Sequence, residues 1–105
     1  MTPKIGEVFI VDLGYEGKVR PVVVVSREDP DAPRALSVVV PLTSQFRESR
    51  YEVKMPRVPW LNLQSFANVQ AIGSLPSIRF EKRLGVVPPA DLKAVKAALL
   101  KACAI

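Results

Sequence analysis

Two runs of β-branched residues, Val22 to Val25 and Val38 to Val40, constrain this chain more than any other feature. Neither is interrupted by a polar side chain, so neither reads as a surface strand with one wet face. Each predicts a strand covered on both sides. Pro21 opens the first run and Pro41 follows the second, and because proline cannot donate to a ladder, each is expected at a strand start, an edge or a bulge.

The other elements fit around these two. Glu7 to Leu13 alternates, with Phe9, Val11 and Leu13 on one side and Val8, Ile10 and Asp12 on the other, which predicts a strand. Gly14-Tyr15-Glu16-Gly17 supplies turn residues, so a hairpin should follow. A charged, proline-broken loop spans Arg27 to Arg34, a fourth strand is expected over Tyr51–Met55, and a fifth over Ser65–Ile72, ending at Gly73. Between Met55 and Leu63, Pro56, Pro59 and Trp60 resist both regular types. That segment reads as a surface loop with Trp60 tucked against the core, and a base-stacking role is the alternative. The period then changes. Pro88-Pro89-Ala90-Asp91 opens a helix, with Leu92, Val95, Leu99 and Ala102 on one face and Lys93, Lys96 and Lys101 largely elsewhere. Five short strands and one terminal amphipathic helix predict a small, strongly bent barrel or sandwich closed by that helix.

At 105 residues, with no internal repeat and no linker, the chain is expected to form one domain over 1–105. No apolar run approaches the roughly 20 residues that cross a bilayer, and no leader-like segment opens the sequence, so a cytoplasmic protein without membrane partners is expected. Cys103 is the single cysteine and histidine is absent. That removes Cys/His zinc sites, Ser-His-Asp triads and histidine acid–base pairs together. The acidic group Glu28, Asp29 and Asp31 is read as a solvated loop rather than a metal site, so no metal or cofactor is expected. Charge is uneven: residues 1–52 carry seven basic and eight acidic side chains, and residues 53–105 carry eight and two. A basic half points to a polyanion, most simply nucleic acid, and solubility alone is the plainer account.

Two short segments carry chemistry. In Lys18-Val19-Arg20-Pro21 a guanidinium sits at the mouth of the hairpin, placed to clamp a phosphate through two hydrogen bonds. In Pro41-Leu42-Thr43-Ser44-Gln45 two hydroxyls and an amide emerge at a strand's end, where they can orient a phosphate or a ribose hydroxyl.

In this order, the segments resemble the MazF/PemK/Kid toxin family. Gly6-Glu7-Val8-Phe9-Ile10-Val11-Asp12-Leu13 resembles its opening "GDVxxVDL" strand, and Arg20-Pro21-Val22-Val23-Val24-Val25-Ser26 its "RPVLVVS" signature. Val39 to Gln45 is similar to its "VVxxTSQ" strand end, and Ser65 to Ser74 loosely to its "SxxxVDQIRT" stretch, with Arg83-Leu84-Gly85 and a terminal helix completing the register. The resemblance implies an SH3-like β-barrel with a C-terminal helix, assembled as a homodimer. It also implies a metal-independent endoribonuclease of a type II toxin–antitoxin system, silenced by a cognate antitoxin protein. Such enzymes cleave single-stranded RNA by attack of the 2′-hydroxyl on the adjacent phosphorus. The family's catalytic arginine and threonine carry over to Arg20 and Thr43, and Gln45 and Gln70 match site-proximal positions.

From the residues themselves, Arg20 serves as an electrostatic stabiliser, Thr43 or Ser44 orients the phosphate, and Lys18 adds charge beside it. Glu16, four residues before Arg20, is the candidate proton acceptor. Gln70-Ala71-Ile72-Gly73-Ser74 stands where the family often has "DQIRT", so an acid and an arginine are missing there. Arg57, Arg79, Lys82 and Arg83 are the cations expected to compensate. Two other classes remain: a CcdB-like gyrase-binding toxin, whose tryptophan-bearing tail has no counterpart in Cys103-Ala104-Ile105, and a noncatalytic SH3-like nucleic-acid-binding module.

Overall fold

A computed structural model describes residues 2–14 and 19–105. Among the described residues there are seven strands, β1 (Glu7–Asp12), β2 (Val19–Val24), β3 (Leu36–Thr43), β4 (Glu52–Lys54), β5 (Phe66–Asn68), β6 (Gly73–Pro76) and β7 (Phe80–Val86), followed by one helix, α1 (Pro89–Ala102). All pairings are antiparallel, in the order β4-β5-β3-β2-β1-β7, with β6 also on β3. The sheet is barrel-like, but among the described residues strand pairing does not close it into a ring.

Both faces of the central strands are covered, as their unbroken valine runs require. Successive residues alternate between two cores. Val23 and Val40 enter one with Val8, Leu42 and Val95, while Val22, Val24 and Val39 enter the other with Phe9 and Phe80. In the second core the Phe9 and Phe80 rings meet edge to face, 5.1 Å apart. Helix α1 covers the first. Val95 is fully buried there, and Leu92, Ala98 and Leu99 pack beside it. Ala102 is exposed instead of lying on this face, and Ala98, one turn earlier, takes its place. Asp91 lies in the first turn and Lys101 in the last, both favourable to the helix dipole.

The strand count exceeds the five expected, for two reasons. The stretch Ser65–Ile72 is not one strand. β5 ends at Asn68, a 3-10 turn occupies Val69–Ala71, and β6 resumes at Gly73. β5 pairs Leu42 with Ala67, and β6 pairs Val39 with Gly73, so β3's partner has moved on by three residues. The 3-10 turn is therefore a three-residue insertion in one edge. It buries Val69, turns Gln70 outward, and is capped by the Asn68 side chain, which accepts the Gln70 N–H at 3.2 Å.

β7 was hidden by its three consecutive exposed charges, Glu81, Lys82 and Arg83. Against β1 its register slips twice, once between Val8 and Phe9 and once between Ile10 and Val11, leaving Leu84 and Glu81 as extra residues. Such bulges bend a strand and increase its twist, which is how β7 curls around β1 and escapes simple alternation.

Candidate active site

The two prolines explain where the sheet parts. Both lie inside strands, not at their ends. Val25 donates its N–H to the Val38 carbonyl, so odd-numbered positions of β2 face β3. Pro21 is one of them, and its missing N–H removes the donor that would continue the ladder past Val22–Pro41, the last pair between these strands. By the same parity Pro41 points away from β2, toward the gap where β3 changes partner from β6 to β5. Each proline thus faces an unpaired stretch, the local equivalent of an edge.

Beyond that point β2 stays with β1, pairing Arg20 with Val11, and β3 stays with β5, pairing Thr43 with Phe66. Carrying the β2–β3 register two residues further sets Arg20 opposite Thr43 on the same face. A row then crosses four strands: Arg20, Thr43, Phe66 and Lys54.

Two grooves of about 590 Å³ each flank the parting, and Arg20, Leu42, Thr43 and Gln45 line both. One lies toward the first core and is walled by Trp60, Leu61, Leu63 and Leu84. Trp60 packs on that core as expected, its ring lying directly over Gly85. The other groove is richer in polar groups, adding Arg47, Ser49, Glu52, Asn68 and Gln70. Its floor continues the Arg20–Thr43 face, because the β3–β5 register carried one residue further sets Pro41 opposite Asn68, which pairs with Glu52. This second, more polar groove is the candidate site.

Within it, Thr43 is half-buried and its Oγ1 accepts the Gln45 N–H at 3.1 Å. That bond fixes the rotamer and leaves the hydroxyl proton to donate into the groove. Arg20 is also half-buried, its guanidinium a permanent charge. Glu52 organises the rim. Its carboxylate accepts the Arg47 N–H at 3.0 Å, the Ser49 N–H at 3.0 Å and the Ser49 hydroxyl at 2.9 Å. Between those donors Glu48 adopts φ 54°, the left-handed turn that brings both N–H groups onto one carboxylate. Partial burial acts to raise the Glu52 pKa, but these hydrogen bonds and the Arg47 charge outweigh it and hold the carboxyl below its ordinary value of 4.5. A carboxylate so engaged anchors a loop and is a poor base.

The sequence-predicted residues distribute as follows. Arg20, Thr43, Gln45 and Gln70 meet at the polar groove, while Ser44 lines only the other. Glu16 and Lys18 lie outside the described residues. Arg57, Arg79, Lys82 and Arg83 line neither groove. Arg79 lies 4.0 Å from Asp12, and Arg83 donates to Glu7 at 2.6 Å. The additional cation is Arg47, which sequence reasoning missed along with Ser49, Glu52 and Asn68. Glu28, Asp29 and Asp31 are exposed, Asp29 accepting the Asp31 N–H, and among the described residues no three His, Cys, Asp or Glu groups could hold a metal ion. No described helix is long and apolar enough to cross a membrane.

These features define a small β-sheet protein with a polar cleft, lined by Arg20 and Arg47, where its central strands part. The chain belongs to the PemK-like, MazF-like toxin family of type II toxin–antitoxin systems, whose model matches residues 4–103. Among solved structures it is similar to an endoribonuclease in complex with its cognate antitoxin from a mycobacterial species, at 29% identity and TM-score 0.85, covering 98% of this chain and 96% of that one. A second mycobacterial endoribonuclease is 28% identical with TM-score 0.82, covering 100% and 94%. MazF from Deinococcus radiodurans shares the fold at 21% identity and TM-score 0.85, covering 100% and 99%. Among curated proteins no sequence match was found. Neither the gyrase-binding nor the noncatalytic reading is favoured by these relatives.

Proposed function

We propose that this one-domain chain is a toxin-type endoribonuclease that cleaves single-stranded RNA without a metal and is held inactive by a cognate antitoxin. The observation that carries the reading is the placing of Arg20 and Thr43 opposite each other on two strands that part, in a groove rich in polar groups. Family membership and the 28–29% identical endoribonucleases support it.

The reaction that suits such a site is internal transesterification. The ribose 2′-oxygen attacks phosphorus in line, the bond to the 5′-oxygen breaks, and the products are a 2′,3′-cyclic phosphate and a 5′-hydroxyl. The nucleophile comes with the substrate, so the protein must position it, move two protons and stabilise charge on the phosphoryl oxygens. Arg20 does the last, through two N–H groups on the non-bridging oxygens. Thr43 donates its free proton to the same phosphate and fixes its orientation. Gln45, Gln70 and Arg47 border the path of the strand. We assign Glu16 as acceptor of the 2′-hydroxyl proton, solvent water as donor of the proton that the departing 5′-oxygen takes up, and Lys18 as a phosphate contact, with Ser44 at the margin toward the other groove. The active unit is a homodimer.

Cleavage of a mixed-sequence RNA in EDTA tests the reading. Wild-type protein should cut it and leave cyclic phosphate ends, and Arg20→Ala should lower the rate by about 10²- to 10³-fold, the usual loss when a transition-state donor is removed. Thr43→Ala should fall by at least about tenfold. RNA binding with no cutting by wild type would support the binding module instead.

A further inference from the structure

Beside the polar groove two aromatic rings lie flat on each other. Phe46 and Phe66 stack at a centroid distance of 4.4 Å with their planes only 8° apart. Phe66 stands directly opposite Thr43 in the β3–β5 ladder, one strand spacing of about 4.8 Å away. Phe46 follows Thr43 by three residues and is 50% exposed. One ring face is thus fixed against Phe66, which lies in the transverse row of Arg20 and Thr43, while much of the Phe46 side chain remains in water. An exposed phenylalanine held rigidly contributes little to this fold, since neither ring belongs to either buried core.

We propose that Phe46, backed by Phe66, is a stacking platform for one nucleobase of the RNA, next to the phosphate held by Arg20 and Thr43. A single-stranded nucleic acid presents unstacked bases, and any base has a π-face that an immobilised ring can accept. Prior stacking on Phe66 settles the ring's orientation before RNA arrives, so little entropy is lost on binding. Lys54, in the same row beyond Phe66, supplies positive charge on the far side, where the strand's backbone continues. The other candidate occupant, a hydrophobic protein segment, would favour a broad apolar surface over one ring flanked by cations.

This inference rests on the ribonuclease reading, and the test separates the two. Steady-state cleavage of a short single-stranded RNA is compared for wild type, Phe46→Ala, Phe46→Leu and Phe46→Trp, with a 2′-O-methyl version of the same oligonucleotide used to measure binding without cleavage. Phe46→Ala and Phe46→Leu should both raise KM, and weaken binding of the blocked RNA, by about fivefold or more, with kcat within about twofold of wild type. Phe46→Trp should bind at least as tightly as wild type, with its added fluorescence quenched by RNA. Full activity in Phe46→Leu together with loss in Phe46→Ala would mean that only apolar bulk matters and would overturn the platform. Unchanged KM in Phe46→Ala would overturn it too, leaving the ribonuclease intact. Wild-type protein that neither cuts nor binds RNA would overturn both.

Discussion

At the scale of single residues, Glu52 shows how a side chain outside the reacting pair shapes the site. Its carboxylate gathers three donors from Arg47 and Ser49 and so fixes the backbone from which Arg47 projects into the groove. Glu52→Gln keeps the shape but loses the charge that those donors stabilise. RNA cleavage by this variant should show KM raised several-fold with kcat nearly unchanged, because a binding contact is displaced and no reacting group is lost. A kcat loss as large as that of Arg20→Ala would instead make Glu52 part of the chemistry. Arg20 and Thr43 were legible in the sequence because each stands in a motif beside a buried strand. Arg47 and Glu52 were not, since nothing in Gln45-Phe46-Arg47-Glu48-Ser49 distinguishes a loop wrapped on a carboxylate from an ordinary charged loop.

Among the elements, β7 depends on what packs against it. Gly85 pairs with Val8 beside the first bulge, and a methyl group added there would sit 2.3 Å from the Trp60 ring. Gly85→Ala must therefore displace Trp60 from the core and reshape the apolar groove it walls. The expected loss is about 1–3 kcal/mol, visible as a fall in Tm of about 4 °C or more together with a shift in Trp60 fluorescence. An unchanged Tm would mean that the ring moves freely. The helix was foreseen from its period and its proline start, because both signals are local. Ser65–Ile72 was foreseen as one strand ending at Gly73 because its composition is continuous, whereas β6 begins at Gly73, and the three-residue insertion at Val69–Ala71 becomes visible only against the register of β3.

For the whole molecule, the first and last strands of the chain, neighbours in the sheet, are tied by Glu7 and Arg83, 76 residues apart and joined at 2.6 Å. Partial burial acts to raise the Glu7 pKa, but the Arg83 hydrogen bond and charge, with the Lys4 N–H, more than offset it and hold the carboxyl below 4.5. Glu52 is shifted the same way. A carboxylate whose folded pKa is depressed contributes stability that is complete above its unfolded value and is lost as pH falls through the folded one. Tm should therefore be flat near neutrality and decline below about pH 4.5. Glu7→Gln should lower stability at pH 7 by under about 1 kcal/mol, read as a small fall in Tm, since Arg83 is half exposed and water screens the pair, and should make no difference at pH 2. A deficit of equal size at both values would assign the effect to packing. The sequence by itself determined which segments are buried on both faces, where the helix begins, and the two motifs that mark the family, because periodicity and proline placement act on the chain locally. Only the tertiary structure decided that β7 bulges twice, that an edge slips by three residues, and that two strands part between Arg20 and Thr43. Those outcomes depend on which strand lies beside which, and pairing energies between distant residues leave no periodic trace in either partner alone.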